Sequence, residues 1–124
     1  MCDDPYIQMT VLVVDDHATF RASARRLLEL DGFRVVGEAQ DARAALQLVQ
    51  ELEPELMLLD VGLPDRSGFE VAKELAGSRT RVVLISSRAQ ADLGPRVRES
   101  GALGFISKEQ LSGEAILALL RRAP

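Results

Sequence analysis

The segment LMLLDVGLPDRSG, residues 56–68, runs from four apolar residues directly into an aspartate and then into a turn rich in glycine and proline. An unbroken apolar run, without polar residues at alternate positions, predicts a strand that is covered on both faces. Asp60 would then stand at the carboxyl end of a buried strand. The role of this carboxylate depends on which other side chains reach the same end of the sheet.

Four further apolar runs resemble the first and alternate with helical segments. They are VLVV at 11–14, FRVVG at 33–37, VVLI at 82–85 and LGFI at 103–106. Between and after the runs, apolar residues recur at helical spacing in 17–31, 41–53, about 67–77 and about 110–122. Strand and helix therefore alternate five times. This order predicts an α/β fold, a three-layer α/β/α sandwich around a five-stranded parallel sheet.

Turn and cap residues place the ends of these helices. Asp41 is positioned to cap the second helix and Pro54 to end it. In the segment 88–100, Gly94 and Pro95 exclude an uninterrupted helix. We expect a loop to about Gly94, then a short helix with Pro95 in its first turn, in one of the more mobile parts of the chain. The predicted apolar faces of the first two helices extend to Leu30 and Leu52.

Length and composition favour one soluble domain. The chain has 124 residues, and its net charge of −4 argues against direct binding to nucleic acid. No apolar run reaches the ~20 residues of a membrane span, and the N-terminus lacks the pattern of a secretion signal. We therefore expect a cytoplasmic protein without a membrane partner, in which residues 1–124 form a single domain and 1–9 are frayed.

Charged and hydroxyl side chains follow four of the five predicted strands. Asp15 and Asp16 follow the first, Asp60 the third, Ser86 the fourth and Lys108 the fifth. Ligands of open α/β sheets bind beyond the carboxyl ends of the strands. If the second strand lies at an edge and the first and third are neighbours, three carboxylates converge on one pocket.

Three close carboxylates repel one another unless a cation compensates them. Mg²⁺ suits such an all-oxygen site, whereas zinc is disfavoured without a nearby pair of Cys or His residues; His17 alone is expected to be a helix-start or solvent residue. Asp60 has the position of a nucleophile that forms an acyl phosphate. Lys108 would supply a positive charge and Ser86 a hydrogen bond to the phosphoryl group.

At these residues the chain resembles the receiver domain of two-component response regulators, across nearly all its length. The resemblance rests on VLVVDDH, LMLLDVGLPDRSG, VVLISS and GALGFISK, in the order and at the spacing of that family. It implies the sheet order 2-1-3-4-5 of a flavodoxin-like fold. It also implies a phosphorylation switch rather than an enzyme that turns over a substrate, with at most self-phosphorylation and self-dephosphorylation.

The resemblance assigns a role to each site residue. Asp15, Asp16 and the backbone carbonyl of Gly62 would hold Mg²⁺ together with Asp60, which accepts the phosphoryl group. Ser86 would be the switch hydroxyl, Phe105 the switch aromatic, and Lys108 the cation that pairs with phosphate. The implied partners are a sensor histidine kinase, a phosphotransfer protein or a small phosphodonor, an output domain or protein target, and a second copy on phosphorylation.

The sequence departs from the common family pattern at several positions. Glu109 replaces the frequent proline after Lys108, as in receivers that precede a helix-turn-helix domain, and Phe105 replaces a tyrosine. Gly94 and Pro95 interrupt the switch helix, while Gly62 and Arg88 occupy positions that tune phosphoryl lifetime. The chain is therefore expected to be either a stand-alone regulator or the receiver part of a DNA-binding regulator.

Simpler interpretations remain for each residue and for the whole chain. The aspartates could cap a helix or a turn, Ser86 could bind backbone groups, Lys108 could be a surface residue and Phe105 could pack at a sheet edge. One rival function is an interaction module of the same fold that never uses phosphate. Another is an aspartate-dependent phosphate-ester hydrolase, which usually needs a second aspartate where Gly62 stands. A nucleotide-binding domain would need a glycine-rich loop after the first strand.

Overall fold

The computed structural model describes residues 8–87 and 93–122, and strands and helices alternate through them. The strands are β1 (Thr10–Val14), β2 (Arg34–Ala39), β3 (Leu56–Asp60), β4 (Arg81–Ser86) and β5 (Gly104–Ser107). The helices are α1 (Ala18–Leu30), α2 (Ala42–Leu52), α3 (Gly68–Leu75), α4 (Gly94–Ser100) and α5 (Gly113–Arg122), with a 3-10 turn at Lys108–Gln110.

The five strands form one parallel sheet in the order β2-β1-β3-β4-β5. This arrangement confirms the predicted α/β fold and its flavodoxin-like strand order. β1 and β3 are neighbours, and β2 lies at an edge. The register pairs Val14 with Leu59, Asp60 with Ile85 and Ser86 with Ser107, so the strands end at one level. The polar residues that follow them are therefore brought to the same edge of the sheet.

Two hydrophobic clusters lie on opposite faces of the sheet, as the unbroken apolar runs predict. In β1, Leu12 and Val14 pack into a cluster with residues of α2, α3 and α4, while Val11 and Val13 pack into a cluster with residues of α1 and α5. Leu56, Met57, Leu58 and Leu59 of β3 are all fully buried. Because burying one such side chain contributes about 1.5–3 kcal/mol, burial strongly stabilises the central strands that carry the residues at their ends.

Short polar side chains cap two of the helices where the sequence predicts a start. Asp41 accepts a hydrogen bond from the Ala44 N–H at 2.8 Å, and Ser67 accepts one from the Phe69 N–H at 3.1 Å. α4 begins at Gly94 with a proline in its first turn, as expected. The loop and mobility expected for 88–92, the position of Arg88 and the fraying expected for residues 1–7 fall outside the described residues. Residues 8 and 9 of the predicted frayed segment are described: the Gln8 N–H donates to the Gly32 carbonyl at 2.8 Å, and the Met9 carbonyl accepts from the Arg34 N–H at 3.0 Å.

The start of the last helix differs from the prediction of about residue 110. A 3-10 turn occupies Lys108–Gln110, the side chain of Leu111 is buried in the core, and α5 begins at Gly113. The hydroxyl of Ser112 accepts a hydrogen bond from the Ala115 N–H at 3.0 Å and caps this later start. The apolar spacing from Leu111 onward could not distinguish a residue anchored before the helix from one inside it.

The apolar face predicted for α1 is also too wide. Leu30 is 80% exposed, because it lies two residues after the buried Leu28 and therefore about 200° around the helix. Leu52, the last residue of α2, is 41% exposed. Within residues 8–87 and 93–122, none of the helices has the length and apolar character needed to span a bilayer.

Candidate functional site

The polar residues predicted at the strand ends meet at one end of the sheet. Asp15 follows β1 and is fully buried, whereas the neighbouring Asp16 is exposed. Asp60 and Ser86 are the last residues of β3 and β4 and are 6% and 4% exposed. Lys108 follows β5 directly and reaches both buried aspartates with its ammonium group.

Four side chains at this end form a group that could hold a metal ion. Asp15, Asp16 and Asp60 each offer a carboxylate oxygen and His17 a ring nitrogen, and these atoms all lie within 4.8 Å of one another. His17 precedes α1 and is largely exposed, as expected for a helix-start residue. Its Nδ1 nevertheless lies 3.1 Å from an oxygen of Asp15 and 3.1 Å from an oxygen of Asp16. The sequence reasoning missed this contact, for which its position directly after the aspartate pair was the available signal.

The two oxygens of the Asp15 carboxylate have different partners. Its Oδ1 accepts a hydrogen bond from the His17 N–H at 2.8 Å. Its Oδ2 is buried and accepts no hydrogen bond from the described residues, although the Lys108 Nζ lies only 2.6 Å away. The short distance therefore reflects a close ion pair without the geometry of a hydrogen bond. An oxygen with an unused lone pair in an acidic cluster fits a site for a hard cation.

Asp60 is less well compensated than Asp15. Its Oδ1 accepts one long hydrogen bond from the Gly62 N–H at 3.3 Å, and its Oδ2 lies 3.7 Å from the Lys108 Nζ. Burial raises the pKa of Asp60, and the charge of Asp15 raises it further, while Gly62 and Lys108 act in the opposite direction. A further cation near Asp60 would favour its ionised form, which is the nucleophilic one.

Lys108 is fixed by contacts on several sides. Besides its two carboxylate contacts, its Nζ lies 4.7 Å from the centre of the Phe20 ring on α1. The ammonium group is closer to Asp15 than to Asp60, a preference that the position of Lys108 in the sequence does not reveal. Lys108 therefore links β1, β3 and β5 at the site, and its charge lies beside the predicted phosphoacceptor.

A cavity of about 500 Å³ opens above Asp60, and Gly62, Ser86 and Lys108 are among the residues that line it. Its far wall includes Arg96 of α4, whose guanidinium lies 4.2 Å from the centre of the Phe69 ring. The sequence reasoning did not single out Arg96, since one arginine in a short helix carries no distinguishing pattern. The cavity is large enough for a small anion, and two positively charged side chains, Lys108 and Arg96, are among the residues that line it.

Of two further residues with predicted roles, Gly62 lines the cavity and Phe105 lies in the hydrophobic core. Phe105 is 7% exposed and belongs to the hydrophobic cluster that includes Leu84 and Val97, and it is not among the described residues that line the cavity. Gly62 lines the cavity, but a Cβ atom there would meet nothing within 4 Å. Its predicted contribution therefore rests on its backbone and not on the absence of a side chain.

Comparison with known proteins identifies the family. A family model described as the response regulator receiver domain matches residues 11–121. A putative transcriptional regulator of Pseudomonas aeruginosa is 40% identical over 110 residues, which cover 87% of this chain and 53% of that protein. The probable transcriptional regulatory protein NarL of Mycobacterium tuberculosis is 37% identical over 116 residues, which cover 91% of this chain and 54% of that protein. The chain thus spans about half the length of these relatives.

The solved structures agree with the sequence comparisons. The signal receiver domain of the putative response regulator NarL from Mycobacterium tuberculosis superposes with a TM-score of 0.82 at 36% identity, covering 93% of this chain and 95% of that one. A LuxR-family two-component response regulator from Aurantimonas gives a TM-score of 0.80 at 29% identity, covering 90% of this chain and 82% of that one. With its strand order, its acidic strand ends and these relatives, the chain belongs to the family of response regulator receiver domains.

Proposed function

We propose that this chain is a phosphorylation-operated switch in which Asp60 accepts a phosphoryl group in the presence of Mg²⁺. The observation that carries the proposal is the shared cavity of Asp60, Ser86 and Lys108, beside a group of carboxylate oxygens within 4.8 Å of one another. If each of these polar residues had a separate structural role, their occurrence together at four strand ends would be a coincidence. One phosphoryl-transfer site accounts for all of them.

Asp15, Asp16 and Asp60, with the backbone carbonyl of Gly62, are the groups that would hold Mg²⁺. Oxygen ligands suit this ion, and three carboxylates within reach of one another need more positive charge than the single Lys108 ammonium supplies. When bound, Mg²⁺ would neutralise charge on the carboxylates and on the phosphoryl oxygens. The residues present therefore fit the metal that the family implies.

In the proposed transfer, a carboxylate oxygen of Asp60 attacks the phosphorus of the donor. A new P–O bond forms as the bond from phosphorus to the donor nitrogen or oxygen breaks, and the leaving group departs with that electron pair. Lys108, 3.7 Å from Asp60 in this state, would stabilise charge on the transferred group, and Ser86 would donate a hydrogen bond to it. Hydrolysis of the acyl phosphate would reset the switch, so any self-dephosphorylation serves signalling rather than substrate turnover.

Phosphorylation would then bias two states of the surface formed by α4, β5 and α5. We propose that Ser86 moves toward the phosphoryl group and that the packing of Phe105 against α4 changes in response. Phe105 already shares a hydrophobic cluster with Val97 of α4, so a change at one side chain would be transmitted to the other. A partner that binds one state better would shift the population and read the signal.

The partners follow from the same interpretation. The phosphodonor would be a sensor histidine kinase, a phosphotransfer protein or a small molecule such as acetyl phosphate. The relatives, about half of whose length the chain covers, are transcriptional regulators. We therefore propose that this single receiver domain acts in the cytoplasm on an output domain or protein target, with a homodimer as one phosphorylated form, and that it does not itself contact nucleic acid.

The test is the intact mass of the protein after incubation with acetyl phosphate, with and without Mg²⁺. The wild type should gain one phosphoryl group only when Mg²⁺ is present, and Asp60→Asn should gain none. Asp65→Asn is a matched control, because Asp65 is an exposed aspartate of the same loop that lies outside the acidic group. It should be labelled like the wild type.

Two results would contradict the proposal. Labelling of Asp60→Asn to the wild-type extent would move the phosphoacceptor to another residue. No labelling of the wild type by acetyl phosphate or by phosphorylated kinases, together with no Mg²⁺ binding in a titration, would favour an interaction module of the same fold that works without phosphate.

A further inference from the structure

Arg21 of α1 contacts the backbone of the acidic site from outside the cavity. Its Nη1 donates a hydrogen bond to the backbone carbonyl of Asp15 at 2.6 Å, and its Nε donates to Oε1 of Glu38 at 3.2 Å. Its side chain is only 16% exposed. A guanidinium that is mostly buried and bound at two separate nitrogens is held in one orientation, so this contact differs from a flexible surface ion pair.

The carbonyl that Arg21 binds belongs to the peptide that joins Asp15 to Asp16. A peptide unit is planar, so fixing its carbonyl oxygen fixes the direction in which the chain enters Asp16. The other groups of Asp15 are also held. Its N–H donates to the carbonyl of Ala39 at 3.0 Å, and its Oδ1 accepts from the His17 N–H at 2.8 Å. Arg21 thus completes the restraint of a residue that belongs to the acidic group.

Arg21 is itself held by an ion-pair network between α1 and β2. Glu38 of β2 binds Arg21 through one carboxylate oxygen and Arg25 through the other, at 3.2 and 3.1 Å. Arg25 does not bind the carbonyl of Asp15; its further contacts are Glu29 and the carbonyl of Val35. The two arginines therefore share Glu38, but only Arg21 connects the network to the acidic site.

We infer that Arg21 is a positioning residue for the Asp15–Asp16 pair and tunes the affinity of the site for Mg²⁺. This inference rests on the proposed function, because it concerns the metal site of that switch. Groups that hydrogen-bond to metal ligands and orient them, without contacting the metal, typically contribute about 10–100-fold to metal affinity. Lysine would keep the charge but could not span Glu38 and the Asp15 carbonyl with a planar fork.

Charge and positioning predict opposite results at this residue, which makes the inference testable. If Arg21 acted only through its charge, removing it would relieve repulsion between two cations and would tighten Mg²⁺ binding. If Arg21 positions the ligands, removing it weakens binding although a positive charge has been lost. The sign of the change therefore separates the two roles.

The experiment is a Mg²⁺ titration without phosphodonor on the wild type, Arg21→Met, Arg21→Lys and the matched control Arg25→Met. We expect the Kd for Mg²⁺ to rise about tenfold in Arg21→Met and to rise also in Arg21→Lys, while Arg25→Met stays within about twofold of the wild type. The ¹³C shift of the Asp15 carbonyl in the metal-free protein should change in both Arg21 variants and not in Arg25→Met. Circular dichroism melts establish that each variant is folded.

The outcomes are distinguishable from those of the proposed function. Wild-type protein that binds no Mg²⁺ would overturn the metal site and this role with it. Wild-type binding with unchanged or tighter binding in the folded Arg21 variants would overturn only the role of Arg21, as would an equal weakening in Arg25→Met. Should Arg21→Met not fold, the Kd and the carbonyl shift of Arg21→Lys decide the question.

Discussion

Replacing Gly68 by alanine should destabilise the protein, although alanine is the better helix former. Gly68 is the first residue of α3, and its N–H donates to the carbonyl of Val61 at 3.0 Å, so the helix begins directly against the end of β3. A Cβ atom at Gly68 would lie 2.8 Å from the Val61 Cα and 3.0 Å from the Asp60 carbonyl carbon, and closer still to the Asp60 carbonyl oxygen. All three are backbone atoms, so no rotation of a side chain relieves the clash.

Two opposing contributions set the size of this effect. Ordinary van der Waals contact begins near 3.4 Å, so the start of α3 or the end of β3 must shift by several tenths of an ångström. Such overpacking costs about 1–3 kcal/mol, whereas the higher helix propensity of alanine returns at most about 1 kcal/mol. The net loss should be about 1–2 kcal/mol, which corresponds to a fall in Tm of about 4–10 °C for a chain of this size.

Thermal melts of Gly68→Ala and Gly94→Ala provide the assay. Gly94 is likewise the first residue of a helix, but the atom nearest to a Cβ there is the Arg98 Nη1 at 4.0 Å. Gly94→Ala should therefore lower the Tm less than Gly68→Ala does, and its remaining cost is that of a Cβ on the residue before Pro95. Because the displaced atoms in Gly68→Ala belong to the proposed phosphoacceptor and its neighbour, that variant should also be phosphorylated more slowly. A Tm for Gly68→Ala equal to or above that of the wild type would refute the steric reasoning.

Three further predictions concern individual polar side chains. Asp60→Asn should raise the Tm at pH 7 without Mg²⁺, because burial and Asp15 raise the pKa of Asp60 and thus make its ionised form a cost of folding. This gain in Tm should appear as the pH rises through the raised pKa of Asp60. It should vanish below about pH 4, where the wild-type carboxyl is protonated in the folded and the unfolded state. A lower Tm for Asp60→Asn at pH 7 would contradict the prediction. Asp65→Ala should lower the Tm at pH 7, because the N–H groups of Ala42 and Arg43 donate to Asp65 and lower its pKa. That stabilisation is lost as the pH falls through the lowered pKa, so the Tm values of the variant and the wild type should converge in acid. A difference in Tm that stays constant with pH would show that the ionised Asp65 carboxylate is not its source. Thr80→Val should cost about 1–2 kcal/mol in urea unfolding, since its buried hydroxyl donates to the Pro54 carbonyl at 2.7 Å; a loss below about 0.5 kcal/mol would show that the bond contributes little.

The parts of the fold that the sequence predicts are those set by burial on both faces of the sheet. Unbroken apolar runs such as 56–59 and 82–85 mark strands because only a doubly covered strand has no polar side to show. Parallel strands end at one edge, so the sequence alone places the residues after these runs in one site. The strand order itself came from the resemblance to a family, because periodicity does not specify which strands are neighbours.

The sequence could not predict features that depend on the distance between elements. The late start of α5 depends on Leu111, which is buried before the helix begins, and an apolar residue at that spacing looks the same in either place. The contact from Arg21 to the Asp15 carbonyl depends on how α1 lies against β1 and β2. Arginines on a helix are common, and only the packed structure distinguishes this one from its exposed neighbours.

The structure shows that Asp15 and Asp60 differ in how their carboxylates are held, which the sequence does not reveal. In the sequence, Asp15 and Asp60 are both carboxylates at the end of an apolar strand. In the structure, Asp15 has its N–H, its carbonyl and one carboxylate oxygen held, and the Lys108 ammonium lies 2.6 Å from the other. Asp60 has one hydrogen bond of 3.3 Å and a more distant ammonium, and its pKa is raised.

A nucleophile and a metal ligand need these two different environments. A ligand serves best when its oxygen is fixed, because every restraint made before binding reduces the entropy that binding costs. A nucleophile must keep an oxygen accessible on the side from which phosphorus arrives. Asp60 lines the open cavity, whereas Asp15 is not among the described residues that line it. The two environments therefore suit the proposed roles of Asp15 as the fixed ligand and Asp60 as the reactive carboxylate, a division that the order of residues implies only through resemblance.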